Sequence, residues 1–267
     1  MAEDPPLDVD VLLGPDLPTI RIGNGPRTLV SLPGLSLHPG HPTGQARRMA
    51  LSGWEPLLDR YTVYRVGRRV RPVGTGFEEM ADDVIAAIDG LGSPVDLMGA
   101  STGGVIALYV AAARPELVRR LVLVVSGSSA SSFMRTRLDP VIAAVRAGRW
   151  RRANALIFQI GARSRVERLA YRAVGWLLGP RLVGIPSDTT LMLAELEAWR
   201  RVDADHLVSQ VRCPALVIAA DLDPVFPLDG ARKLVEQLPN GSLVVLPRTA
   251  HDFPVAAIAE HVSPFLG

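Results

Sequence analysis

Apolar residues along the chain gather into short unbroken runs that alternate with longer segments of helical spacing. The runs at 8–13, 18–22, 28–32, 61–66, 95–98, 121–125, 215–220 and 242–246 are rich in Val, Ile and Leu and are bounded by Gly, Pro or polar residues. That pattern predicts strands. Between them, 53–60, 77–91, 102–113, 203–211 and 227–238 read as helices. In 77–91 one face carries Phe77, Met80, Val84, Ile85 and Ile88, with Glu78, Glu79, Asp82 and Asp83 mostly opposite. A run such as 121–125, apolar at every position, suits a strand buried on both sides. Strand–helix alternation predicts an α/β fold: a mostly parallel central sheet with flanking helices.

The strand pattern stops at residue 133 and resumes after about 202. Helical periodicity fills the interval near 136–147, 149–161, 164–178 and 188–201, broken at Gly148, Gly161, Gly179-Pro180 and Ile185-Pro186. The chain therefore divides into a first core part, 1–132, a helical insert after the sixth strand of the sheet, 133–202, and a second core part, 203–267.

Composition restricts what this fold can do. With 267 residues and 48% hydrophobic content, the chain can bury one large core. Cys213 is the only cysteine, which excludes an intrachain disulfide, and it reads as a buried spectator. The acidic start, Met-Ala-Glu-Asp-Pro-Pro, lacks the basic and apolar regions of a secretory signal, and no apolar run approaches about 18 residues. A cytoplasmic protein without a membrane span is the expectation. The basic residues are almost all arginine, and 13 of them lie in 134–201 against five acidic residues, a net +8 in a chain whose total is +2. The remainder is thus acidic and carries no aromatic-interleaved basic repeat, so nucleic acid is not an expected partner.

Chemistry enters at Gly99-Ala100-Ser101-Thr102-Gly103, which joins the strand at 95–98 to the helix at 102–113. A serine at the apex of a strand–turn–helix, with small residues on either side, resembles the nucleophile elbow of the α/β-hydrolase family. The resemblance implies Ser101 as nucleophile and Thr102 N–H as one donor of an oxyanion hole. The strand at 28–32 ends in Pro33-Gly34-Leu35, with Pro33 where the family usually has His. Leu35 N–H is implied as the second donor, and a main-chain donor tolerates that change. After the strand at 215–220, Ala220, Asp223 and Pro227 are similar to the family's Gly-x-x-Asp-x-x-x-Pro pattern; Asp221 competes, and the spacing to Pro227 selects Asp223 as the acid. His251, in the loop after the last strand, takes the place of the base, while His206 and His261 fall in expected helices as surface residues. Some relatives carry the acid after the sixth strand, but Ser126 to Ser132 contains none. The helical insert matches the cap of capped serine hydrolases. Of its aromatic and Met residues (Trp150, Phe158, Tyr171, Trp176, Met192 and Trp199), most read as packing and a minority as pocket lining.

The order Ser101, Asp223, His251 is that of this family. It implies a serine hydrolase cleaving an ester, thioester or lactone through an acyl-enzyme, with a small-molecule substrate and no cofactor. The same triad also supports C–C hydrolase, perhydrolase or haloperoxidase-like, and aminopeptidase activity. A low-turnover ligand-binding receptor is the alternative from another class. His38 and His41 are too few ligands for a metal site. The arginines of the loop 67–76 read as solvated, with contact to an anionic substrate as the rival reading. The basic insert suggests steering of anionic substrates, or a homodimer in which it meets an acidic surface of a second copy, against a monomer otherwise.

Overall fold

The computed structural model describes residues 8–92, 94–162, 164–182, 184–251 and 255–267. The acidic start of the chain, on which the expectation of no secretory signal rests, lies outside the described residues. Eight strands form one sheet: β1 Asp8–Leu13, β2 Leu17–Ile22, β3 Arg27–Leu32, β4 Tyr61–Val66, β5 Val95–Ala100, β6 Val118–Val124, β7 Ala215–Ala220 and β8 Gly241–Leu246. Their order is β1-β2-β4-β3-β5-β6-β7-β8. The first three neighbours pair antiparallel and the rest parallel. The helices are α1 Gly44–Leu51, α2 Phe77–Leu91, α3 Thr102–Ala113, α4 Ser132–Arg146, α5 Trp150–Ile157, α6 Arg165–Leu177, α7 Gly179–Leu182, α8 Thr190–Arg201, α9 Leu228–Gln237 and α10 Val255–Leu266.

Side chains alternate across a strand, and the core divides accordingly. Leu121 and Leu123 join Val217 and Ala219 in a cluster with residues of α2, α3 and α9. Their neighbours Val122, Val124, Leu216 and Ile218 face the other way, against Ala50 of α1 and Ile258, Val262 and Leu266 of α10. Both faces of the central strands are therefore dry, which is why those strands read as unbroken apolar runs.

Helices α4 to α8 fill the interval between β6 and β7. The chain leaves and rejoins the sheet at one place, where Ala204 N donates to Ser128 O at 2.9 Å and Ser129 forms an antiparallel bridge with Asp203. These helices differ in how they attach. Helix α8 is buried along most of its length, whereas α6 buries only Gly175 and leaves Val166 78% exposed.

Four expectations need correction. The helix expected over 53–60 is a single 3-10 turn, Glu55–Leu57, and the one expected over 203–211 is a 3-10 segment, Asp205–Gln210. Helix α1 was not anticipated; it buries only Ala50, so its sequence carries almost no apolar stripe. The arginines of the loop 67–76 are each held by a carboxylate of the chain rather than freely solvated. Arg68 is buried, and the more exposed Arg69 and Arg71 both make forked bonds of 2.7–3.1 Å to Asp83 of α2, which is buried rather than lying on the exposed face.

Candidate active site

Ser101 stands alone between β5 and α3, with φ 49° and ψ −118°. A non-glycine residue at positive φ is strained and persists only where its surroundings hold it. Here the Ser101 N–H donates to Val124 O at 2.9 Å, and its carbonyl accepts from Gly104 N at 2.9 Å and from Ser126 Oγ at 2.8 Å. The turn also requires small neighbours. A Cβ on Gly99 would lie within 3.0 Å of the Gly103 backbone, one on Gly103 within 3.0 Å of Leu32 O, and one on Gly104 within 3.0 Å of Ser126.

The strained turn aims Ser101 Oγ at His251, whose Nε2 lies 3.1 Å away. On the far side of the ring, Nδ1 is 2.9 Å from Asp223 Oδ2. A carboxylate accepts, so Nδ1–H donates to it and the Nε2 lone pair faces the serine hydroxyl. Asp223 is itself fixed: its side chain is fully buried, and Oδ1 accepts from Val225 N at 2.7 Å and Phe226 N at 3.2 Å. The Phe226 ring packs 5.8 Å from the imidazole centre and 5.5 Å from Trp199.

Asp221 does something else. It is exposed and accepts from Thr249 N at 3.1 Å, while Leu222 N donates to Thr249 O at 2.9 Å. Amide bonds, from Arg248 first, outweigh burial and hold its carboxyl below the usual carboxylate range. Asp221 therefore ties down the turn that presents His251, and Asp223 is the one that touches the ring. His206 is exposed in a 3-10 segment, and His261 lies in α10, away from this cluster. His41 bonds Val11 O at 3.1 Å. Among the described residues no group of three or more His, Cys, Asp or Glu is placed to hold a metal ion.

Leu35 and Thr102 line one cavity with Ser101 and His251. As the first residue of α3, Thr102 has an N–H with no carbonyl a turn behind it, at the positive end of the helix. What the sequence did not disclose is how the two flanking segments are held. Trp199 Nε1 donates to Thr102 Oγ1 at 3.1 Å. One turn earlier on α8, Glu195 accepts from Ser36 N at 2.9 Å and pairs with Arg68 at 2.5 Å, both side chains being at most 4% exposed. The Arg68 guanidinium then donates to Pro33 O at 3.0 Å and to Gly34 O. Glu195 and Trp199 share a helix face, the one signal that could have flagged them.

The cavity, about 100 Å³, is roofed by residues of α4, α5 and α8 that are apolar apart from Arg137. Of the aromatic and Met residues of 133–202 singled out from sequence, Trp199 lines it; Trp150 and Trp176 line a separate surface groove of about 810 Å³.

Residues 56–255 match the model of the family described as the alpha/beta hydrolase fold. The chain belongs to that family. This α/β-hydrolase is 27% identical over 269 residues to a pimeloyl-[acyl-carrier protein] methyl ester esterase of Chromobacterium violaceum, covering 90% of this chain and 96% of that one. It is 29% identical over 191 residues to a protein of Caulobacter sp. (strain K31) provisionally named a carbamate hydrolase, covering 67% of this chain and 66% of that protein, just under two thirds. The enol-lactonase of Burkholderia xenovorans LB400 superposes with a TM-score of 0.73 at 18% identity, covering 95% and 98% of the two chains, a likeness of fold. No helix among the described residues is long and apolar enough to cross a membrane.

Proposed function

We propose that this α/β-hydrolase is a serine esterase working through an acyl-enzyme, with Ser101 as nucleophile, His251 as general base and acid, and Asp223 as the group that orients it. The observation that carries the reading is the unbroken relay from Ser101 Oγ through His251 to buried Asp223, at 3.1 and 2.9 Å. A serine hydroxyl is too weak a nucleophile alone; His251 takes its proton as it attacks the acyl carbon and later gives it to the departing alcohol. Asp223 keeps the required tautomer and stabilises the imidazolium. Negative charge forming on the carbonyl oxygen is received by the Leu35 and Thr102 N–H groups. Helices α4 to α8 act as a cap, since α4, α5 and α8 close the cavity above Ser101. Esters rank ahead of carbamates because a carbamate's nitrogen lone pair deactivates the carbonyl. The substrate is a small molecule.

A fluorophosphonate probe and a panel of p-nitrophenyl esters test the reading. Wild-type protein is labelled and turns over at least one ester, and Ser101→Ala abolishes both. Labelling of Ser101→Ala at the wild-type level, or millimolar esters left intact for hours, rejects it in favour of a receptor of the same fold.

A further inference from the structure

Two arginines of the cap meet on one aromatic ring at the wall of the catalytic cavity. Arg137 of α4, a cavity-lining residue, holds its guanidinium 3.6 Å from the centre of Phe133, and Arg168 of α6 lies 5.8 Å from the same centre. Burial, and then the charge of Arg168, pull the Arg137 pKa below its ordinary value. Cations brought together in a partly buried place ordinarily have an anion between them. Among the described residues neither arginine forms an ion pair, and the carboxylates of α4 and α8 are committed elsewhere: Asp139 to Arg200, Glu195 to Arg68, and Glu197 to Arg146 and Arg200. Both hydrogen bonds from Arg137 leave one nitrogen, Nη1, and are long, 3.4 Å to Phe133 O and 3.3 Å to Thr136 Oγ1. The Nε of Arg168 is buried with no hydrogen-bond partner. Contact with Phe133 occupies a face of the Arg137 guanidinium, and its two bonds use only Nη1, so the in-plane Nε and Nη2 side of the fork, the part that recognises a carboxylate, has no bond among the described residues.

We propose that Arg137 and Arg168 form a carboxylate subsite, so that the preferred substrates are half-esters of dicarboxylic acids. This rests on the esterase reading of Ser101. The acyl part, not the alcohol, must remain enclosed through both chemical steps. The wall shared by Ser101 and Arg137 includes Leu138, Ile157 and Ile160, apolar surface that suits the methylene chain linking the two ends of such a substrate.

The test compares methyl half-esters of straight-chain dicarboxylic acids, from succinate to suberate, with methyl esters of the corresponding monocarboxylic acids, by pH-stat. At one or more chain lengths the half-ester has the higher kcat/KM, by about tenfold or more, the worth of a charge-assisted bond. That ratio falls towards one in Arg137→Ala and in Arg168→Ala, and high salt lowers it in the wild type. Equal rates on both series, in protein whose Ser101 is labelled by fluorophosphonate, overturn the subsite and leave the esterase reading standing. If no ester is cleaved, the esterase reading falls, and calorimetric titration of adipate into wild-type and Arg137→Ala protein decides the subsite alone. Binding weakened about tenfold by the substitution supports it, and absence of binding to the wild type rejects it.

Discussion

Of the four described non-glycine residues at positive φ, three lie around the relay and the fourth, Asp16, is in the β1–β2 turn. Ser101, Val125 at the end of β6 and Arg248 in the turn before His251 are the three, at 49°, 39° and 53°. Each costs on the order of 1–3 kcal/mol, and their clustering is the mark of a site where geometry outweighs local comfort. The two neighbouring aspartates separate cleanly at this scale. Asp223→Asn, which turns the imidazole to the wrong tautomer, lowers kcat by about 10⁴-fold with the melting temperature little changed. Asp221→Asn removes one exposed anchor of the Thr249 amide and lowers kcat by less than about tenfold. Steady-state kinetics on one p-nitrophenyl ester distinguishes them. Cys213 gives a further check. Burial pushes its thiol up to about 11, so at pH 8 only roughly a thousandth is thiolate. Ellman's reagent therefore leaves it untouched in the native protein and titrates it at once in guanidinium.

Among the elements, α8 links the fold to the chemistry. Its Glu195–Arg68 pair is buried, and breaking one partner of such a pair costs about 3–5 kcal/mol. Glu195→Gln is expected to lower the urea midpoint, and to lower kcat by more than KM rises, because the Pro33–Ser36 segment beside Ser101 loses its tether. Urea titration and ester kinetics on the same preparation check both. How far elements could be read in advance follows from the same physics. Strands such as 61–66 and 215–220 match the observed β4 and β7 because burial leaves a local apolar signature. Helix α1 was missed because it buries a single alanine. Arg68 was misjudged because its partner lies 127 residues away, and no window of sequence reveals a carboxylate brought there by the fold. Ser101, Asp223 and His251 were legible since each ends a strand in a recognisable turn. Glu195 and Trp199 were not, because they sit in a helix whose apolar pattern explains them as packing.

Across the whole molecule, the acidic limb of stability runs through Asp83. Burial alone would raise its carboxyl, but bonds from Arg71 and then Arg69 prevail and hold it below its ordinary value. Its contribution is thus complete above the unfolded value, near pH 4, and is lost as pH falls through the lower folded one. Asp83→Asn is expected to be less stable than wild type at pH 7, with the gap closing below about pH 4. Urea midpoints measured from pH 7 down to pH 3 follow that gap.

The attachment of Glu195 and Trp199, one turn apart on α8, has a consequence for traffic. A lid that swung open as one body would tear a buried ion pair from the Arg68 loop and an indole bond from Thr102, dismantling the site each time substrate entered. The door is therefore expected elsewhere, in α5 to α7, with α8 staying on the sheet as its frame. Amide exchange should then be fastest in α5 to α7 and slow in α8, and a disulfide locking α5 to α4 should close the enzyme without unfolding it.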